Sequence, residues 1–214
     1  MKISNTILER VKENPLSHAR IIAGDEGKNG GGTYGIFACW QGAVKDVHRS
    51  KKSIKDAMND LAKEYTARFE ATQKNLEKEE KLMKVFNSYC KQYDKLGVEF
   101  LYSKKLVNWQ LHDNVTLTGN TPWITKRGDE YVIIQVLEGA AGNWKNELRY
   151  PLIQKYLASY CLSCDMSNIT MTVFSVKDNV FEFKNFAKNE IEAAITETKY
   201  LFTIVYNEYL RVKI

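Results

Sequence analysis

Only three prolines occur in 214 residues, too few for a Pro-rich tail or linker. Three histidines, His18, His48 and His112, are scattered, and none joins the cysteines in a zinc-binding pattern. The four cysteines are as sparse. Cys39 and Cys90 stand alone, and only Cys161 and Cys164 form a C-x-x-C. No apolar run approaches the ~18 residues of a membrane span. The opening MKISNTILERVKENPL lacks the apolar core of a signal peptide, and no G-x-S-x-G serine elbow is found. These absences point to a soluble, cytoplasmic chain with reduced thiols and no membrane partner.

What is present suits a packed core. The chain is 44% apolar and 12% aromatic, a globular composition of a length that needs no staples. A net charge of +5 is compatible with nucleic acid and also common in proteins that bind none.

Along the chain, Ile3, Ile7, Leu8 and Val11 share a helical face that Pro15 stops. His18–Ala23 and Thr33–Trp40 read as two strands. The glycine-rich GDEGKNGGG between them reads as a hairpin connection, because it lacks the Lys-Ser/Thr ending of a phosphate loop. From Ser50 to Leu96 there is no glycine or proline, and the composition favours helix. Ser53 with Asp56 makes a cap-like start and Gly97 a C′ stop. The mostly charged middle, Thr72–Lys81, leaves two forms open: one helix of roughly 66 Å or a helical hairpin. Further strands are expected over Val98–Tyr102, Leu106–Leu111, Val115–Ile124, Tyr131–Leu137 and Ile169–Val176, the last with a hairpin partner over Asn179–Phe183. A helix is expected over Trp144–Leu157, and a final one from Ala187 to Leu210. The expected organisation is an N-terminal helix and β-hairpin (1–50), a long helix or helical hairpin (51–96) and a core (97–214), together one compact α+β domain.

The stretch VTLTGNTPWITKRGDEYVIIQVLEGAAGNWKNELRYPLIQKY orders strand, turn, strand, small-residue loop and helix. With Ile169–Val176 after it, it resembles the core of the PD-(D/E)XK nucleases, especially their RecB-like branch. That resemblance implies a restriction-endonuclease-like central sheet flanked by helices. Gly119-Asn-Thr-Pro122 stands where a Gly-x-x-Asp motif belongs. Ile133–Gly139 stands where an Asp/Glu-x-Lys motif belongs, and Pro151-Leu-Ile-Gln154-Lys-Tyr156 resembles the following helix. The family's chemistry needs two carboxylates for a divalent metal and a lysine beside the attacking water. Here Pro122, Gln135 and Leu137 occupy those three positions.

The resemblance therefore implies a catalytically degenerate nuclease scaffold, with no metal site and no cofactor. Its expected role is to bind nucleic acid or a protein partner, in a phage or other mobile element. Two alternatives stand beside it. One is an active, magnesium- or manganese-dependent nuclease with relocated residues, Glu147 and Lys145 being the candidates. Asp113, Asp129 and Glu138 are also near in sequence, but Glu138 has the wrong strand parity to replace Gln135. The other is an interaction protein without nucleic acid, self-assembling or partnered through residues 53–95. For backbone contacts to DNA or RNA the candidates are Lys104, Lys105, Lys126, Arg127, Lys145, Arg149, Gln154 and Lys155. Trp40, Trp109, Trp123 and Trp144 read as packing residues that could also stack on bases. Some RecB-like nucleases hold an iron–sulfur cluster. Cys39 with Cys161 and Cys164 falls one downstream cysteine short of that set, so the C-x-x-C reads as two buried thiols. His48 falls where that branch often carries a metal-binding histidine, and reads here as structural.

Overall fold

The computed structural model describes residues 1–24 and 35–213. Its centre is the run Tyr131–Leu137, within β6 (Glu130–Leu137). This strand is apolar on both faces, as a strand buried on both sides must be. Val132, Ile134 and Val136 enter one core, and Ile133, with Tyr131 and Leu137 packed beside it, enters the other. β6 pairs antiparallel with β5 (Trp123–Arg127) across the tight turn at Gly128 and Asp129. It pairs parallel with β7 (Ile169–Ser175). β2 (Glu99–Tyr102) and β8 (Val180–Lys184) complete a five-stranded sheet of order β2-β5-β6-β7-β8. A parallel pair needs a crossover, supplied by α6 (Arg149–Tyr156) and the π-helical turn Leu157–Leu162 that continues it.

The other face is covered by α3 (Ile36–His48), α4 (Ile54–Arg68) and α5 (Gln73–Leu96). The stretch from Ser50 to Leu96 is thus the helical hairpin of the two forms. Ser53 Oγ accepts from Asp56 N at 3.1 Å to start α4. Phe69 turns extended to end α4, and Thr72 Oγ1 accepts from Asn75 N to start α5. Gly97 closes α5 in the left-handed region, with φ 61°. Leu61, Tyr65, Leu82, Phe86, Tyr89 and Tyr93 bury the hairpin's apolar faces in the core it shares with its own sheet. Trp40 anchors this layer: its Nε1 donates to Leu82 O at 2.8 Å and its ring meets Phe86 and Tyr89 edge-on.

A second sheet, β1 (Lys2–Ser4), β4 (Val115–Asn120) and β3 (Leu106–His112), has order β1-β4-β3, with β1 and β4 parallel. Its core is shared with α1 (Leu8–Glu13), α2 (Pro15–Gly24), α6 and α7 (Lys188–Lys213). Glu208 of α7 is held by Arg20 of α2 at 2.9 Å and by Arg211.

Four expectations are corrected here. His18–Ala23 and Ile36–Trp40 are helical, not strands. Pro15 occupies the first turn of α2, where its missing N–H costs nothing. The buried set Ile36, Cys39, Trp40 and Val44 has helical spacing. The glycine-rich loop lies, apart from Gly24, outside the described residues. Residues 1–14 are not one helix: Lys2–Ser4 pairs as a strand and only Leu8–Glu13 is α-helical. Val115–Ile124 is not one strand: the chain breaks at Thr121 and Pro122, sending β4 and β5 to different sheets. The expected Trp144–Leu157 helix is a 3-10 turn, Trp144–Asn146, followed by α6. Among the described residues, no helix is long and apolar enough to cross a membrane.

Candidate functional site

Strand register builds the site. Trp123 lies opposite Ile134, the last pair of that ladder, and Pro122 directly precedes it. Gln135 lies opposite Val173, and Val173 opposite Glu182. Directly paired residues point to the same face. Gln135, Val173 and Glu182 therefore form one row, on the side where Val173 and Ile133 meet α6, with Pro122 just ahead of the first residue of β5. Leu137 follows Gln135 on that face, opposite Ser175. The row crosses the carboxyl-terminal half of the parallel pair, the end where open α/β sheets bind ligands.

The row carries little free chemistry. Pro122 is buried. Gln135 Nε2 donates to Val136 O at 3.1 Å. The one carboxylate, Glu182, accepts from Lys145 Nζ at 3.0 Å and Trp144 Nε1 at 3.1 Å. These two bonds, Lys145's first, hold its pKa below the usual carboxylate value. Just beyond, Asp178 accepts from Ser175 Oγ at 2.6 Å and from Ala141 N at 3.4 Å. The Ser175 hydroxyl chiefly keeps its pKa low. Asp178 thereby pins the Gly139–Gly142 loop to the β7–β8 turn.

Of the relocated candidates, Lys145 reaches the row through Glu182 and Glu147 does not. Glu147 pairs with Arg149 Nε at 2.6 Å and lies near Glu9, whose carboxylate accepts from Leu148 N. Glu138 points away, to Lys78 of α5 at 2.8 Å, as its strand parity requires. Asp113 lies in the turn between β3 and β4, and Asp129 in that between β5 and β6. Among the described residues, no group of three or more His, Cys, Asp or Glu side chains is arranged to hold a metal ion. Sequence reasoning missed Glu182 and Asp178. The only signal for Glu182 was its position in the expected hairpin partner of Ile169–Val176.

The basic candidates do not form one patch. Lys126 and Lys155 line a common open cleft of about 710 Å³ with Tyr131, Ser159, Ser163, Asp129 and Asp165. Lys105 Nζ lies 3.8 Å from the centroid of the Tyr102 ring. Lys104 is set apart, close enough to Lys45 to help lower that residue's pKa, though burial and Arg49 do more. Arg127 is tied to Glu130 at 2.9 Å, and Arg149 to Glu147 and the Tyr150 hydroxyl. Gln154, expected as a contact to nucleic acid, is fully buried, and its amide is spent on internal partners. Trp40 and Trp144 are core residues, Trp123 is nearly buried, and Trp109 keeps a partly open ring.

Cys39 and Cys90 belong to the helical layer, and burial pushes their thiols up to about 11 and about 12. Cys161 and Cys164, expected as buried thiols, are only half-buried, packed against the core across the sheet beneath α6. The four thiols are not brought together.

His48 is a core group, stacked 3.5 Å from the Tyr93 ring centroid, with Nε2 3.0 Å from the Tyr89 hydroxyl. Burial lowers its pKa to about 3. Unfolded, an imidazole titrates near its usual value of about 6.5. Between those values the unfolded chain binds a proton that the folded one excludes, so stability is lost as pH falls through that window. Urea unfolding at pH 6 and pH 5 should differ by about 1 kcal/mol from this group. His48→Phe should remove that difference. Equal losses in both proteins would show that the folded state protonates His48.

No family model matches the chain, and no curated protein matches it.

Proposed function

We propose that this chain is a PD-(D/E)XK nuclease-like domain that has lost phosphodiester hydrolysis and binds nucleic acid without cutting it. The observation that carries the reading is the row itself. Of the three positions that the resemblance assigns to acid, acid and lysine, Gln135 and Leu137 share one face of β6 and Pro122 directly precedes the neighbouring β5, and none of the three carries a charge. The order β5, β6, α6, β7 supports the same reading. A hard divalent cation wants charged oxygen ligands. A pyrrolidine ring, an amide and an isobutyl group supply none, and the row's one carboxylate is engaged by Lys145 and Trp144. Metal-activated water then has no holder.

The test incubates labelled single- and double-stranded DNA with excess protein and manganese, with and without EDTA. A native-gel shift with intact strands on a denaturing gel is the expected result. Cutting only without EDTA, lost in Glu182→Gln, would replace this reading with a relocated metal site around Glu182 and Asp178. No shift and no cutting would remove the nucleic-acid role. A double variant sharpens the point. Gln135→Glu with Leu137→Lys should still leave DNA intact, because Pro122 withholds the other carboxylate.

A further inference from the structure

We infer that the exposed side of α6 and its π-helical turn is a stacking surface for single-stranded nucleic acid. This inference rests on the nucleic-acid reading above and adds the strand type and the contact residues. Tyr160 is 61% exposed and Tyr102 44% exposed, large fractions for aromatic side chains. The Tyr160 ring lies 6.0 Å from Trp109 and 5.2 Å from Tyr156, so it is backed by two rings while much of it stays open. Tyr156 donates from its hydroxyl to Leu106 O at 3.1 Å, which places Lys105 and Leu106 beside this cluster. Leu106 is itself 69% exposed.

Lysines accompany the rings. Lys105 covers Tyr102, and Lys126 Nζ lies 5.5 Å from the Tyr131 centroid. Lys155, one helical residue from Tyr156, shares the cleft with Lys126 and Tyr131. Aromatic faces interleaved with ammonium groups suit unpaired bases and their phosphates, because every base offers a π-face and a duplex hides it. Asp129 and Asp165 also line the cleft. Its charge is nearly balanced, so stacking must contribute more than phosphate attraction. With about three lysines available, the salt dependence should be shallow, with a log–log slope of about −2.

The experiment measures anisotropy of a labelled twenty-nucleotide oligo(dT) and of a duplex of equal length. Wild type is compared with Tyr160→Ala, Tyr102→Ala and Lys177→Ala. Lys177 follows β7 at the far end of the sheet from the cleft. Circular dichroism checks that each variant folds, which the exposure of both tyrosines favours. Tighter binding to the single strand, weakened about tenfold by Tyr160→Ala and unchanged by Lys177→Ala, is the expected result. Binding that both tyrosine variants leave intact would overturn this surface while the nucleic-acid reading stands. A preference for duplex would do the same. No binding of either strand form by the wild type would overturn both.

Discussion

Gln154→Leu is expected to lower the unfolding free energy by about 3–5 kcal/mol. Gln154 Nε2 points at Met166 O (3.0 Å), Phe186 O (3.1 Å) and Asn185 Oδ1 (3.3 Å), and Oε1 accepts from Phe186 N at 3.0 Å. One amide thus ties α6 to the segment before β7 and to the segment between β8 and α7. Leucine nearly matches its volume, so the cavity penalty is small. What remains is a buried N–H and a buried carbonyl, both of Phe186, without partners, each costing about 1–3 kcal/mol, while Met166 O keeps the Ile169 N–H. Urea unfolding followed by circular dichroism measures the change. A surface contact to phosphate would give a different pattern, with weaker binding and unaltered stability. A loss under about 1 kcal/mol would mean that water or a rearranged backbone replaces the amide.

Gly119→Ala is expected to cost about 3 kcal/mol. Gly119 has φ 129°, a region that side chains strongly disfavour. A Cβ there would also stand 2.9 Å from Asn5 Cγ and closer still to Asn5 Oδ1. Asn5 cannot easily retreat. It is 2% exposed, and its Nδ2 donates to Asn120 O at 3.1 Å, joining the turn after β1 to the end of β4. In a double-mutant cycle, Gly119→Ala should cost about half as much in an Asn5→Ala background as in the wild type, because the overlap is gone and the backbone strain remains. No cost in that background would mean that the φ angle relaxes freely. An unchanged cost would mean that the overlap never formed. Gly119 thus has a packing reason of its own.

These two positions show where sequence reading was sound and where it stopped. Gly119 was singled out as the first residue of Gly119-Asn-Thr-Pro122, and its neighbour Asn5, 114 positions earlier in the chain, was not foreseeable. Gln154 was picked from a helix motif, and placed on the wrong side of the protein surface. A polar residue in an amphipathic segment is usually solvated, and only the arrival of Phe186 and Met166 makes it internal.

The sequence by itself determined the pieces whose cause is local. The two-faced apolar run Tyr131–Leu137 had to be a strand buried on both sides, the glycine- and proline-free run after Ser50 had to be helical, and Ser53 and Gly97 marked its limits. That Gln135 and Leu137 share a face was also legible, because alternation along a strand is local. Tertiary structure alone decided the rest. It turned the long helix at Phe69, because folding back let both halves bury their apolar faces against one sheet. It made helices of α2 and α3, whose buried faces are defined by α7 and α5. It split the chain at Thr121 and Pro122 between two sheets, brought Glu182 into the row with Gln135, and divided the lysines between separate surfaces. Propensity and periodicity act over a few residues. Pairing, register and burial depend on partners tens to more than a hundred positions away.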